Sequence, residues 1–596
     1  MTDKRLRRSQ IISPFGPGAI IDLVGESFVA EDAGRWRGRT EEVDFRRLAN
    51  LLRVGALQTP AAGAELFYTR FPRWLFCPRC RRMVHWQTTM EKKGVAPRCP
   101  NNNDHGKLVP MRFVAVCGNG HLADVDWKRW AHSSSRNNRE RGQCQVTDLQ
   151  FRNVPNVGGG LRSLEVTCRT CRAERSLENL TSVFALRQIG QTCPGRQPWQ
   201  LQDDARSCDK PLVALQRGAA SVYFPEVVSA IDIPPESSWA FVNDPQNRLR
   251  RHSDFRSIVA RPDHPLRDAL TEVITGDTGL SKSEIDRAVA VEQGEAANLQ
   301  QAESAESIVR DEWTALCRPL ENDDPRNYFI TRSAERPEPD GPDVRALTLM
   351  NSMVPHVVLV DRLREARVLR GFKRHTMEDE ISANLERHGE YLPAVVVFGE
   401  GFFLQFDETA LAAWEERPDV RRRCARLATR RQNRATWLPT PTPRHVLLHT
   451  FAHLLLRNTA FDAGYSTSAL RERLYVNQNN DDPPMAGILV YTAAGDSEGT
   501  LGGLVRMGEY RRFARLFLAS VASARWCSFD PVCVESPGQG PGALSLAACH
   551  ACSLVPETSC VGGNRLLDRR LLVDEIYGFF RDLVDVLGQS TGGDAC

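Results

Sequence analysis

The stretch "AACHACSLVPETSC", residues 547–560, places Cys549, Cys552 and Cys560 in one short, turn-rich segment. Two thiolates separated by two residues can grip one tetrahedral ion from a tight knuckle. Further thiols, brought in by a loop, close the coordination sphere at metal–sulfur distances near ~2.3 Å. Cys527 and Cys533 precede the stretch in "CSFDPVC", so five thiols compete for one four-ligand site. We take Cys549, Cys552 and Cys560 as ligands, with Cys527 or Cys533 as the fourth. Four thiolates leave no position for water, so the expected site is closed and structural. An iron–sulfur cluster also takes four thiolates, and the spacing does not separate the two.

The same pattern recurs upstream. "CPRC" gives Cys77 and Cys80, followed by Cys99 in "RCPNNNDH" and Cys117 in "CGNGH". The fourth ligand of this group is His105 or Cys117, with His121 and Cys144 as further donors. "CRTC" gives Cys168 and Cys171, followed by Cys193 and Cys208, which together read as a four-thiol set. Cys317, Cys424 and Cys596 stand alone. The expected cofactor is Zn2+ in two to three structural sites.

Composition supports this reading. The chain has 596 residues and 17 cysteines. No apolar run of about 18 residues would cross a membrane. The basic start "MTDKRLRRSQIISPFGPGAIIDL" is interrupted by Pro14, Gly16, Pro17 and Gly18, unlike a signal peptide. A cytoplasmic, reducing location follows as the expectation, and there cysteines serve metals more often than disulfides. The 77 basic and 74 acidic residues leave a net charge of +3, so a basic footprint for nucleic acid has to be local.

The pattern of elements predicts an α+β, multi-domain chain. Residues 1–69 form an N-terminal segment with a strand at "AIIDLVG". Residues 70–215 form a zinc-knuckle-rich, β-rich module, in which "GHLADVDWKRWAH" leads into a short helix. Residues 216–345 are mixed, with a polar helical excursion and a Pro-rich linker. Residues 346–440 form a basic α/β region, where "VPHVVLV" and "LPAVVVFGEGFFLQF" are strands joined by a helical, basic segment. Residues 441–596 form a C-terminal α/β domain carrying the cysteine metal site, with a helix at "TPTPRHVLLHTFAHLLL", a buried strand at "MAGILVYTA" and a closing amphipathic helix at "LLDRRLLVDEIYGFFRDLVDVL".

Few residues suit catalysis. No G-x-x-x-x-G-K-[ST] loop occurs, and the glycines of "GDSEGTLGGL" lack a phosphate-contacting lysine. His445, His449 and His453 share one helix face, but Thr450 follows His449 where a metalloprotease helix carries glutamate. They read as packing histidines, with a metal, nucleic-acid or supporting role as the alternative. Asp496, Ser497 and Glu498 offer oxygens to Mg2+ but read better as loop-shaping residues. No catalytic residue is assigned. Two basic stretches suit phosphate contact without base reading: one carries Arg367, Arg370, Lys373 and Arg374, the other Arg421, Arg422, Arg423, Arg430 and Arg431 with Trp437 for stacking. The alternative for both is a solvated face balanced by nearby acids.

"HTFAHLLL", "GYSTSALRERLY", "GILVYTAAGDSEGTLGGL" and "AACHACSLVPETSC" resemble the C-terminal four-cysteine metal domain of MrfA-type DNA-repair helicases, here without helicase motors. With "SQIISPFGPGAIID", "LQRGAASVYFPEVVSAIDIP" and "LREARVLRGFKR", most of the chain resembles the DrmB-like accessory proteins of DISARM anti-phage systems. The resemblance implies metal ligands at Cys549, Cys552 and Cys560 with one of Cys527 or Cys533. It also implies a heterodimer with DrmA, a superfamily-2 helicase-like ATPase, and sequence-independent binding of DNA with single-stranded overhangs. The expected role is a non-catalytic accessory subunit. A metal-dependent nuclease and a scaffold without DNA contact are the alternatives.

Overall fold

The computed structural model describes residues 7–92, 94–134, 144, 146, 148–155, 158–233, 249, 252–261, 263–286, 288–290, 304–319, 328–375, 379–435, 437–477, 484–492 and 502–591. The chain divides into two compact units. One comprises Met1–Ser229 with Ala366–Val396, the other Ala230–Glu365 with Val397–Cys596.

The first unit is built from small sheets because glycine, proline and cysteine turns interrupt the chain every few residues. A hairpin of β1 (Ile20–Leu23) and β2 (Glu26–Ala30) is extended by β3 (Tyr68–Arg70). Strand β4 (Trp74–Phe76) lies between β5 (Met83–His85) and β6 (Val109–Pro110). Strand β7 (Phe113–Val116) pairs with β8 (Leu122–Asp124), which leads into helix α1 (Trp127–Ala131). Strands β9 (Leu149–Asn153), β10 (Leu164–Cys168) and β11 (Glu174–Ser176) form a meander, and β12 (Val213–Gln216) returns to the free side of β7. Trp127, Trp130, Phe113, Val166 and Leu177 form the core between them.

The second unit is a sheet with helices on both faces. It contains helix α2 (Ala305–Cys317) and parts of two long strands, β13 (His356–Lys373) and β14 (Tyr391–Gln405). Helices α3 (Pro418–Arg434) and α4 (Pro443–Ala463), strands β15 (Leu470–Val476) and β16 (Ala486–Thr492), and helix α5 (Tyr510–Ser523) follow. The strand order is β13–β14–β16–β15. Side chains alternate across the sheet. Phe402, Leu404, Ile488 and Val490 pack under α4 and α5, while Phe403, Leu489 and Tyr491 meet Leu316 and Trp313 of α2. Helix α4 starts with Thr442, whose hydroxyl accepts the His445 N–H at 3.1 Å, and stops at Gly464, which is left-handed at φ 73°. It is buried on nearly every side, so its polar residues must find internal partners.

Helices, sheets and several cysteine clusters make this an α+β architecture, as the sequence predicts. Two local expectations are corrected. The basic segment after "VPHVVLV" is not helical: residues 356–373 run as one strand, with Val357, Val358, Val360, Leu363, Val368 and Leu369 buried. Burial on both faces and β-branched content override the arginine spacing that suggested a helix. The closing helix is two pieces, Arg570–Val573 and Arg581–Thr591. Between them the Asp574 carboxylate accepts the backbone N–H groups of Ile576 and Tyr577, a turn that competes with helix continuation.

Candidate metal centres

The described residues gather cysteine and histidine into five compact groups, four of them dominated by cysteine. The first is Cys77, Cys80, Cys99 and His105. The β4–β5 hairpin closes the Cys77–Cys80 knuckle, and a bridge between Arg98 and Lys107 presents Cys99 and His105 together. The Cys80 and Cys99 sulfurs lie 3.6 Å apart, and the Cys99 sulfur is 3.5 Å from His105 Nδ1.

The second and third clusters interleave along the chain. Cys117 and His121 join Cys193 and Cys208, whereas His132 and Cys144 join Cys168 and Cys171. The expected four-thiol set of Cys168, Cys171, Cys193 and Cys208 is thus divided between two clusters. Cys117 and His121 do not reach the first knuckle. Pairing explains both corrections. Val213 sits opposite Val116, which carries the Cys208 segment alongside Cys117. Leu149 sits opposite Cys168, which carries Cys144 to the "CRTC" knuckle. The Cys117 sulfur lies 3.6 Å from that of Cys193 and 3.4 Å from His121 Nδ1. Cys144 and Cys168 are 3.7 Å apart, and Cys171 is 3.2 Å from His132 Nε2. His132 was missed as a donor. Its Nδ1 meets the Lys128 carbonyl at 2.7 Å, which leaves Nε2 for the cluster. A histidine just past a short helix, upstream of a Cys-x-x-Cys pair, was the available signal.

The fourth cluster is Cys527, Cys533, Cys549 and Cys552. Sulfur pairs lie 3.4 Å (Cys527–Cys549), 3.8 Å (Cys533–Cys552) and 3.8 Å (Cys549–Cys552) apart. Both candidates for the fourth ligand, Cys527 and Cys533, are in it, and Cys560 is not. The Cys560 sulfur instead lies in a separate buried group on the other side of Ser553. Arg457 of α4 clamps the knuckle by donating to the carbonyls of His550, Ala551 and Leu554. Asp530 receives the Cys527 N–H at 2.7 Å and pairs with Arg569.

Each arrangement fits a tetrahedral ion. With metal–sulfur bonds of ~2.3 Å, ligand sulfurs stand about 3.8 Å apart, whereas a disulfide requires ~2.0 Å. The described cysteines are all free thiols. Backbone N–H groups also point at the sulfurs, with Cys80 to Cys77 at 3.4 Å and Cys549 to Cys552 at 3.3 Å. Arg81 and Arg172, one residue past each upstream pair, are left-handed at φ 64° and 61°, which turns the knuckle back on itself. Gly120 does the same at φ 72°, and a Cβ there would meet Ile381 at 2.7 Å. The three upstream clusters each combine three cysteines with one histidine, and the C-terminal one is all cysteine. All are closed by four protein donors, the signature of structural zinc.

Without an ion such clusters cannot hold all their thiolates. Burial, followed by the neighbouring thiols, pushes Cys144 up to about 12. Burial likewise pushes Cys533 up to about 12 and Cys527 up to about 11. By contrast, the hydrogen bond from Cys193, then that from His121, pulls Cys117 down to about 4. Metal binding at neutral pH therefore displaces the protons of the raised thiols. The sign follows: metal-linked stability is present at high pH and is lost as pH falls, by about tenfold in affinity per pH unit for each proton displaced. Dialysing the chain stepwise from about pH 8 to pH 5 should release metal together with loss of folded signal. Retention of every ion to pH 5 would contradict the thiolate assignment.

The arginines are placed unevenly. Arg374 is fully buried and donates to the carbonyls of Gly18 (2.7 Å), Gly120 (3.0 Å) and Val222 (2.6 Å). Arg423 is buried in a bidentate pair with Asp568 at 2.7 and 3.1 Å. Neither faces solvent, so the expectation that they contact phosphate is corrected. Their guanidinium groups saturate internal acceptors that the sequence did not reveal. Arg367 and Lys373 are mostly buried, and Lys373 pairs with Glu226 at 3.4 Å. Arg370 pairs with Glu380 at 2.5 Å. Arg430 donates to the Ala543 carbonyl, and Arg431 to that of Leu438. Arg421, Arg422 and Arg426 line the exposed face of α3, and Trp437 is exposed beneath the Arg565 guanidinium. Cys424 donates to the Pro441 carbonyl. Cys596 and the Asp496–Glu498 loop lie outside the described residues.

Comparison with known proteins agrees with this layout. The family described as "MrfA Zn-binding domain" matches residues 451–553, a span that contains the four-cysteine cluster. A domain of unknown function, DUF8724, matches residues 7–224, which hold the other three clusters. The "DISARM protein DrmB" of Bacillus paralicheniformis is 30% identical over 606 residues, covering 95% of this chain and 100% of that protein. A match of this extent places the chain in the DrmB family of DISARM proteins.

Proposed function

We propose that this chain is a non-catalytic accessory subunit of a bacterial anti-phage DISARM complex, stapled by zinc at its four cysteine-dominated clusters. It binds a DrmA-like superfamily-2 helicase ATPase as a heterodimer in the cytoplasm, and helps it hold DNA with single-stranded overhangs. The observation that carries the DNA part is the exposed row of Arg421, Arg422 and Arg426 on α3. Buried pairing of Arg423 with Asp568 fixes that helix, so the row is presented on a rigid element. Arg421 also pairs with Glu416 at 2.5 Å, and guanidinium groups exposed together on one helix suit phosphates and read no bases. The non-catalytic part rests on the closed geometry of the four clusters, which offers no open coordination position.

The test is anisotropy of a labelled 5′-overhang duplex titrated with this chain, with the helicase and with both, at two salt concentrations. The pair should bind more tightly than either protein. Arg421→Glu, Arg422→Glu and Arg426→Glu together should weaken the complex and flatten its salt slope by about 0.7–0.9 for each phosphate that is no longer neutralised. An unchanged slope would favour a scaffold without DNA contact. Cleavage of the probe by this chain alone would favour a nuclease.

A further inference from the structure

We infer that His449, His453, Glu472 and Cys560 form a fifth metal centre, a closed site of two imidazoles, one carboxylate and one thiolate for a divalent ion of the Zn2+ class, separate from the four-cysteine cluster. Helix α4 presents His449 and His453 one turn apart on one face. Strand β15 supplies Glu472, and the loop ending "ETSC" supplies Cys560. His449, His453, Glu472 and Cys560 are all buried.

The donor atoms already converge. His449 Nε2 lies 3.1 Å from the Cys560 sulfur and 3.1 Å from Glu472 Oε1, and His453 Nε2 lies 3.6 Å from the same oxygen. Bonds of ~2.0–2.3 Å to a tetrahedral ion would set such donors about 3.3–3.8 Å apart. The surroundings fix three of the four donors without using them up. His453 Nδ1 donates to the Ser553 carbonyl at 2.9 Å, so Nε2 carries the lone pair and faces inward. The Cys560 sulfur receives the Asn564 N–H at 3.2 Å, and Glu472 Oε1 receives the Val561 N–H at 3.1 Å.

Three buried atoms of these residues have no hydrogen-bond partner: His449 Nδ1, on the far side of its ring from the cluster, and His453 Nε2 and Glu472 Oε2. Buried polar atoms are almost always satisfied, and the orphaned His453 Nε2 and Glu472 Oε2 call for a ligand. The charge of a divalent cation bound there would be cancelled by one carboxylate and one thiolate, with two neutral imidazoles completing the donor set. Mixed nitrogen, sulfur and oxygen donors suit Zn2+ or Co2+ rather than Mg2+ or Ca2+.

The centre is distinct from the four-cysteine cluster but touches it through one residue. Ser553 gives its carbonyl to His453, and its hydroxyl donates to the Cys552 sulfur at 3.3 Å. The match to the MrfA Zn-binding domain ends at residue 553 and begins at residue 451, so neither Cys560 nor His449 lies within it.

The experiment has two arms on the full chain loaded with Zn2+. In the first, metal equivalents are counted by mass spectrometry for the wild type and for His453→Gln and Cys560→Ser. Each variant is expected to lose one equivalent relative to the wild type, with the equivalents of the other clusters retained. The second arm needs no variant to fold: an anomalous difference map of wild-type crystals at the zinc edge should show a peak between His449, His453, Glu472 and Cys560. Unchanged stoichiometry in folded variants, or peaks at the cysteine clusters with none here, would overturn the centre and leave a histidine–glutamate ion pair in its place.

Discussion

Cys552→Ser should strip one metal equivalent from the chain and destabilise its second unit by about 5 kcal/mol. The reason is what lies around the four-cysteine cluster. Its local buried group consists of Cys527, Cys533, Cys552, Cys549 and Ala551, with no large apolar side chain among them. Little apolar area is buried at the knuckle itself, while Leu546 and Val555 anchor its flanks in the core, so an ion would supply much of the energy that orders the knuckle. Structural zinc in small modules supplies about 10–16 kcal/mol of apparent binding energy at neutral pH, which is comparable to the whole stability of a domain. Serine keeps the size of the side chain and removes the thiolate, which isolates the metal contribution. Zinc content by mass spectrometry and thermal unfolding of the same sample read the outcome. A variant with full zinc and an unchanged transition would show that the thiol is not a ligand.

Arg374→Ala should cost the first unit about 3–5 kcal/mol. The substitution leaves the carbonyls of Gly18, Gly120 and Val222 without their common donor inside the core, at about 1–3 kcal/mol for each unsatisfied acceptor that water cannot reach. Burial pushes the Arg374 guanidinium down to about 9, so it stays protonated at neutral pH and its hydrogen bonds remain charge-assisted. Gly120 belongs to the turn between Cys117 and His121, so the same variant should hold metal less tightly at that cluster. Urea unfolding and metal retention against a chelator measure both effects. If Arg374→Ala left stability intact and flattened the salt dependence of DNA binding, the residue would be a phosphate contact after all.

Much of this protein was legible in its residues. Helix α4 follows from Pro443, Thr442 and Gly464 at its ends, and β16 from an unbroken apolar run. The Cys-x-x-Cys knuckles follow from spacing, because two residues are what a tetrahedral bite requires. Which knuckle shares an ion with which distant donor was not legible. Cys117 finds Cys208 through the β7–β12 pairing, and Cys144 finds Cys168 through the β9–β10 pairing. Those contacts form between residues many positions apart, and a linear reading groups cysteines by proximity instead. Cys560 shows the same limit. Eight residues from Cys552, it turns away to His449, His453 and Glu472, because the loop between them folds back onto α4 and β15.

The sequence by itself determined that this is an α+β chain with Cys-x-x-Cys knuckles of metal-ligand spacing and local basic stretches, because periodicity, spacing and charge are properties of neighbouring residues. Only the tertiary structure decided which donors meet and which arginines face solvent. Arg374 and Arg422 are indistinguishable as letters in a basic run, yet one closes a buried set of carbonyls and the other stands in water. Burial and long-range strand pairing make that difference, and both depend on the whole fold rather than on any one segment.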